Sequence, residues 1–369
     1  MAWIVVGLAV ASALIWLGIF LAPWRPWSTR ERFEVDSNEH DGDVTDVTVL
    51  IPARDEAGVL PRTLTALNGS GHAPRIIVID DQSGDDTAAL ARAAGANVIP
   101  GAPLPAGWSG KLWALEQGRL QTTSRWLLLL DADIELAPGA VTTLRRMASE
   151  RNLQLVSLMA WLRMTGFWER LLMPAFVFFF KLLYPFALAN SPSSRLAAAA
   201  GGCILVESRV LAEIGGFGTL RSELIDDCAL ARAVKARGHA TWIGLTHAAV
   251  SHRAYASLTS ISRMVARSAF TQLRYSTTLL GLCSLVLLVA CWVPIAGLFF
   301  PIARWFALCA WIAMAASYLP TLRFYHRSPW WCLGMPPIGT LYLAMTWYSA
   351  WRHWRGTGAH WKGRDYQLR

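Results

Sequence analysis

Five consecutive apolar residues, Trp126 to Leu130, run directly into Asp131-Ala132-Asp133. A strand with no polar alternation is buried on both faces, which in a sheet requires helices packed against each side. In such an α/β sheet, ligands bind at the carboxyl ends of the strands. Here that end delivers two carboxylates one residue apart. Hard divalent cations such as Mg²⁺ or Mn²⁺ favour oxygen ligands of this kind and share them with phosphate oxygens. A solvated acidic loop is the alternative reading. Three further acidic sites, Asp55-Glu56, Asp80-Asp81 and Asp226-Asp227, weigh against it in a chain whose net charge is +9.

The apolar fraction of 54% is concentrated at the two ends of the 369 residues. Ala2 to Ala22 carries no charge and reaches the ~20 residues needed to cross hydrocarbon. With no basic segment before it and no small-residue cleavage site after it, it reads as an uncleaved anchor. Trp24, Arg25 and Trp27 follow as an interfacial belt with a basic, cytoplasmic flank. Three more apolar stretches, Leu279 to Phe300, Trp305 to Leu319 and Trp330 to Trp351, precede a tail bearing Arg352, Arg355, Lys362, Arg364 and Arg369. Three crossings from a cytoplasmic domain would put that basic tail outside, against the positive-inside rule. Either one stretch fails to cross or the tail breaks the rule. Pro336-Pro337 makes the last stretch the candidate for a re-entrant or broken helix. Basic residues flanking spans and facing anionic lipid account for the surplus charge, so no nucleic-acid partner is implied. The six cysteines show no C-x-x-C pair and read as reduced, buried thiols. These features predict a multi-pass protein of a bacterial inner membrane with its polar middle facing the cytoplasm.

The divisions expected are an anchor at 1–24, a linker at 25–46, an α/β domain at 47–255, a membrane-surface segment at 256–277, spanning or re-entrant helices at 278–351 and a basic tail at 352–369. Glu31 to Asp46 is polar and turn-rich. Strands are expected at Val47–Ile51, Ile76–Ile79, Val98–Ile99, Trp126–Leu130 and Ile204–Val206, alternating with helices from Leu60, Ala88, Leu112 and Cys228. That alternation implies a doubly wound, mostly parallel sheet. Asp85-Asp86-Thr87 would cap the second of these helices. Phe167 to Ala189 is long enough to cross a bilayer, yet a single crossing would separate acidic sites expected to act together. An interfacial helix pair broken at Pro174 and Pro185 and a buried core helix are both open.

Several motifs suit a nucleotide ligand. A carboxylate in Asp80-Asp81-Gln82-Ser83 can accept the imide N–H of uracil. Asp55-Glu56 can accept ribose hydroxyls, and Arg54 can face phosphate. Gly110-Lys111 opens a helix, where backbone N–H groups, the dipole and the ammonium attract anions. There is no G-x-G-x-x-G and no Walker loop. Asp226-Asp227 opens another helix; one can be a plain cap, the other a general base within reach of an acceptor proton. A role for His252 on metal or phosphate competes with a structural one.

The order Ile51-Pro52-Ala53-Arg54-Asp55-Glu56, Asp80-Asp81-Gln82-Ser83, Gly110-Lys111, Asp131-Ala132-Asp133, Gly201-Gly202 with Gly215-Gly216-Phe217, and Asp226-Asp227 resembles the family 2 inverting glycosyltransferases of GT-A fold. The resemblance covers about residues 47 to 255. It implies nucleotide-sugar contacts by Arg54, Asp55, Glu56, Asp81, Lys111, Asp131 and Asp226, with uracil on Asp81 and the diphosphate by Lys111. It implies a divalent metal, Mg²⁺ or Mn²⁺, on Asp131 and Asp133, with Glu135 as a further metal contact, and Asp227 as the base. Trp108-Ser109-Gly110-Lys111-Leu112-Trp113, the leading and trailing spans, and Trp361-Lys362-Gly363-Arg364 further resemble the hopanoid-associated and carotenoid-type members, which implies a lipid acceptor. Where the family usually has Glu-Asp, this chain has Asp226-Asp227. Where processive synthases carry Q-x-x-R-W, Gln272-Leu273-Arg274-Tyr275 is one residue short and ends in tyrosine, which implies a single transfer. A polyprenyl-phosphate glycosyltransferase and a non-catalytic membrane scaffold are the rival expectations.

Overall fold

A computed structural model describes residues 2–35, 42–68 and 74–356, with the backbone of 360–361 and 364–365. Lys362, Gly363 and Arg369 of the expected basic tail lie outside the described residues. The chain divides into two compact units: Glu31–Arg163, Leu188–Ala254 and Ala359–Arg369 form one, and Met1–Arg30, Met164–Ala187 and Tyr255–Gly358 the other.

Among the described residues, the first unit is built on one nine-stranded sheet: β1 (Arg32–Phe33), β2 (Val47–Ala53), β3 (Arg75–Asp80), β4 (Asn97–Pro100), β5 (Trp126–Leu130), β6 (Ile134–Leu136), β7 (Leu155–Leu162), β8 (Cys203–Glu207) and β9 (Thr241–Ser251). Their order is β1-β9-β7-β8-β5-β2-β3-β4, with β6 pairing on β9. β8 is antiparallel to both neighbours, β5 and β7; β2, β3, β4 and β5 are mutually parallel. Every residue of β2 and β5 is buried, and Thr48, the polar residue among them, pairs its hydroxyl with Thr122 and Ser124. Successive side chains point to opposite faces. Thus Val49, Ile51, Leu128 and Leu130 pack in one core, with Leu60 and Leu64 of the helix Leu60–Asn68 and Leu144 of Ala140–Glu150. Leu50, Leu127 and Leu129 pack in the other, with Leu112 and Leu115 of Gly110–Arg119 and Leu230 and Val234 of Asp226–Ala236.

Three local expectations are corrected. The stretch from Glu31 is more than a linker: Arg32 and Phe33 add the parallel edge strand β1 to β9, and Phe33 is buried. Asp86 occupies the cap position of the helix Thr87–Ala93 without a side-chain bond, and Asp85 instead accepts the Thr87 backbone N–H at 3.0 Å. The helix Phe167–Leu183 runs through Pro174 unbroken. It ends before Pro185, and the short helix Phe186–Ala189 follows.

The second unit is helical. Among the described residues, three of its helices are long and apolar enough to cross a membrane: Trp3–Leu21, Thr277–Phe299 and Arg304–Phe324. Leu282, Leu285 and Leu288 of the second stay exposed, as a lipid-facing surface allows. The last apolar stretch splits into a 3-10 segment, Pro329–Gly334, and the helix Met335–Trp354, with Pro336 and Pro337 in its first turn, where proline is tolerated. Trp16 Nε1 donates to Ala290 O at 2.7 Å, Trp292 Nε1 to Thr340 Oγ1 at 2.8 Å, and Tyr342 OH to Leu172 O at 2.8 Å. The segment after Tyr255 forms the helix Leu258–Ala266, capped by Ser257, with Ile261 and Val265 buried and Arg263 and Arg267 exposed.

Most of the apolar face of Phe167–Leu183 is buried, which favours the core-helix reading over the interfacial pair. Its Glu169 is 1% exposed. The carboxylate accepts the backbone N–H groups of Thr165 and Gly166, each at 2.9 Å, and of Tyr255 at 2.7 Å. Buried donors stripped of their acceptor cost ~1–3 kcal/mol each. Glu169→Ala is therefore expected to lower the thermal midpoint in detergent substantially, whereas Glu169→Gln, which keeps one of the two acceptor oxygens, is expected to lose less.

Candidate active site

The acidic sites of the sheet unit gather at the carboxyl ends of β2, β3 and β5, joined there by the end of β9. The backbone of the Asp131-Ala132-Asp133 turn is fixed from several elements. Asp131 N donates to Gly202 O at 3.0 Å, Thr63 Oγ1 to Ala132 O at 2.8 Å and His252 N to Asp133 O at 2.9 Å. Such anchoring holds the two carboxylates where the strand aims them.

Lys111 lies one residue into the helix Gly110–Arg119, whose cap Ser109 accepts Leu112 N–H. Its Nζ meets Asp131 Oδ1 at 2.6 Å and Gly201 O at 3.1 Å. Gly201 N in turn donates to Asp227 Oδ2 at 2.8 Å, and Cys228 N to Asp227 Oδ1 at 2.7 Å. A Cβ on Gly201 would sit 3.3 Å from Asp227 Oδ2 and 3.4 Å from Lys111 Nζ, so glycine lets the acid and the amine approach this backbone together. Asp226 and Asp227 both lie in the first turn of Asp226–Ala236, and neither is its cap, which is Ile225. Lys111, Gly201, Asp226 and Asp227 line one cleft floored by Leu112 and Ile204.

Electrostatics divides these groups. Burial pushes the Lys111 ammonium down, but the carboxylates of Asp131, Asp226 and Asp227 outweigh it and hold its pKa above the usual lysine value. Burial, reinforced by Asp133, raises Asp131 despite Lys111 beside it. Facing three acids, the Lys111 ammonium stays charged. Burial and the neighbouring Asp226 push the Asp227 carboxyl up to about 6, against the Cys228 N–H and Lys111. Asp133 goes the other way: burial would raise it, but Arg253 and Ser251 hold it below the usual carboxylate range.

Arg253 and Ser251 are the residues that sequence reasoning missed. Ser251 Oγ donates to Asp133 Oδ2 at 2.7 Å. Arg253 Nη2 donates to Asp133 Oδ1 at 3.1 Å and to Glu56 Oε1 at 3.0 Å. His252 is engaged by Glu135, Nε2 to Oε2 at 2.7 Å, and by Arg62, Nη1 to Nδ1 at 2.9 Å. A guanidinium only donates, so Nδ1 accepts and Nε2 carries the proton given to Glu135. In this arrangement His252 and Glu135 serve one another.

On the β2 and β3 side, Asp55 adopts φ +50° and its Oδ1 accepts Gly84 N–H at 2.8 Å, tying the two strand-end loops together. Arg54 Nη1 donates to Asp81 O at 2.6 Å and lies 4.0 Å from Asp81 Oδ2. Asp81 itself is buried. The structure thus links Glu56, Arg253 and Asp133 on one side of the turn, and Asp131, Lys111, Gly201 and Asp227 on the other, with Arg54, Asp55 and Asp81 at the adjacent strand ends.

Among the described residues no group of three or more His, Cys, Asp and Glu side chains is placed to hold a metal. Asp131 and Asp133 offer hard oxygens to a divalent ion that takes its remaining ligands from a diphosphate, and in that sense they fit one.

Residues 48–215 match the family described as Glycosyl transferase family 2. The 4,4'-diaponeurosporenoate glycosyltransferase of Staphylococcus haemolyticus is 39% identical over 101 residues, which is 27% of each chain. A TPR repeat-containing protein of Synechococcus elongatus is 37% identical over 100 residues, 27% of this chain and 23% of that one. The matched stretch thus spans about a quarter of the length of these curated relatives. Among solved structures, a mannosyltransferase from Pyrobaculum calidifontis in complex with GDP-Man and Mn²⁺ aligns over 94% of this chain and 99% of its own, with a TM-score of 0.55 and 18% identity. That likeness is one of fold: a GT-A-like, mostly parallel sheet covered by helices on both faces.

Proposed function

We propose that this chain, whose residues 48–215 match the glycosyl transferase family 2 description, is a membrane-held, inverting glycosyltransferase that moves one sugar from a nucleotide donor to a lipid acceptor. The observation that carries the reading is Lys111, whose ammonium contacts Asp131 and the Gly201 backbone that also binds Asp227. One cation thereby joins the metal-ligand turn to the general base.

Asp227 accepts the proton of the acceptor hydroxyl while that oxygen attacks the anomeric carbon. The bond from that carbon to the diphosphate oxygen breaks, and its electron pair leaves with the nucleotide. A single displacement inverts the centre and needs no carboxylate nucleophile on the enzyme. Lys111 faces the negative charge growing on the leaving diphosphate, a type of stabilisation strongest in a site shielded from water. A divalent ion, Mg²⁺ or Mn²⁺, would be held by Asp131 and Asp133 and would supply further charge neutralisation. Asp81, buried at the end of β3, is assigned to the uracil imide N–H, and Arg54, Asp55, Glu56 and Asp226 to the rest of the donor.

A lipid acceptor is supported by the candidate spans in the same chain and by the carotenoid-acid name of the Staphylococcus relative. A hopanoid-type acceptor is the finer assignment. Two of the three candidate spans among the described residues follow residues 48–215, and two crossings from a cytoplasmic start would bring Arg352 and Arg355 back to the cytoplasm, as the positive-inside rule favours in a bacterial inner membrane.

The fold neighbour was solved with a GDP donor, so GDP is the comparator for Asp81. In the presence of Mn²⁺, UDP is expected to raise the thermal midpoint of the full chain more than GDP does, and the Asp81→Asn variant to lose that preference. Equal shifts by the two nucleotides would overturn the uracil assignment. Transfer to a hopanoid and not to a polyprenyl phosphate, from the donor so identified, would decide between the two acceptor readings.

A further inference from the structure

The segment Ser251-His252-Arg253 wraps Asp133 on three sides. Ser251 holds one carboxylate oxygen, Arg253 the other, and the His252 amide the backbone carbonyl. The same Arg253 Nη2 reaches Glu56, which enters from the end of β2. Both acids are largely buried, with side chains 5% and 11% exposed, whereas the Arg253 side chain is 38% exposed. The cation is therefore the partner with room to turn. Arg253 and Lys111 stand on different carboxylates of the same turn, Arg253 on Asp133 and Lys111 on Asp131.

A divalent ion shared by Asp131 and Asp133 would arrive beside this guanidinium. Two cations competing for one carboxylate repel, and the competition weakens the binding of both. A diphosphate changes the balance, because its oxygens can take the planar guanidinium fork and the metal at once. On the glycosyl-transfer reading above, we infer that Arg253 couples the metal to the donor: it opposes a bare divalent ion at Asp133 and clasps the diphosphate that accompanies it. Glu56 acts as the second anchor from which the guanidinium turns. An arginine serving only as a brace between the β2 and β5 loops would not have these two opposite effects.

The test uses the full chain in detergent, wild type against Arg253→Gln, with Mn²⁺ alone, UDP with Mn²⁺, and inorganic pyrophosphate with Mn²⁺ as probes. Bound Mn²⁺ is read by electron paramagnetic resonance and the anions by calorimetry. Arg253→Gln is expected to bind Mn²⁺ alone about tenfold more tightly, since a competing charge is gone. It is expected to bind UDP–Mn²⁺ about tenfold more weakly through loss of a charge-assisted contact. Pyrophosphate should lose the same factor as UDP, because the contact is to the diphosphate and not to the nucleoside. Unchanged or weaker Mn²⁺ binding in the variant, or undiminished UDP–Mn²⁺ affinity, would overturn the coupling. If Arg253→Gln does not fold, Arg253→Lys reports instead: charge without the fork should leave Mn²⁺ binding as in wild type and still weaken both anions, and any other pattern overturns the inference. Absence of Mn²⁺-dependent UDP binding in the wild type would instead sink the glycosyl-transfer reading itself, and the coupling with it.

Discussion

Asp227→Asn is expected to lower turnover by ~10²–10⁴-fold, the usual contribution of a positioned general base, while Mn²⁺-dependent UDP binding persists. Asparagine retains the shape, and its one amide oxygen can still accept one of the two N–H groups, of Gly201 and Cys228, that orient Asp227 through its separate oxygens. What it lacks is a carboxylate able to take the acceptor's proton. The pH profile carries the sharper information. Burial and Asp226 hold the Asp227 carboxyl up at about 6. A base must be deprotonated, so kcat/KM should be flat well above that pH and fall tenfold per unit below it. The asparagine variant should lose this acidic limb along with its rate. A variant that keeps most of its activity, or a wild type with no acidic limb near this pH, would remove Asp227 from the base role.

Lys111→Met is expected to cost ~10²–10³-fold in turnover, the range seen when one electrostatic donor to developing charge is removed. The size of the loss follows from where the ammonium sits, 2.6 Å from Asp131 and next to the Gly201 carbonyl. Its charge is also one of the influences that lower the Asp227 carboxyl. Deleting it should therefore move the acidic limb of kcat/KM to higher pH than in the wild type. A merely structural lysine would reduce the amount of folded protein without moving that limb. A limb that stays in place or shifts downward would show that Lys111 and Asp227 do not share an electrostatic field.

Much of this site could be read along the chain because its chemistry is local. The burial of Trp126–Leu130 and the two acids that follow it are neighbours in sequence, as are Ser109, Gly110 and Lys111 at their helix start. Asp226 and Asp227 open a helix whose apolar spacing is plain. Arg253 was not legible in this way. Its two carboxylate partners lie 120 and 197 positions away, and nothing near it in the chain hints at either. β9 itself went unseen, since Thr241, Thr246 and His247 interrupt its apolar pattern and only its pairing with β7, β1 and β6 defines it. The one available signal was a Ser-His-Arg run after an apolar stretch, too common to act on alone.

Sequence alone determined the class of fold, the apolar helices at its ends and most of the acids around the strand termini, because burial periodicity and helix-start chemistry act within a few residues. The tertiary structure alone decided which charges meet. It placed Lys111 between Asp131 and the backbone that binds Asp227, gave Asp133 to Arg253 and Ser251, and turned His252 and Glu135 toward each other. The physical reason is the range of the forces. Hydrophobic burial leaves a periodic trace in the order of residues, whereas an ion pair or a shifted carboxyl depends on distances that arise only when separate strands end at the same edge of a sheet.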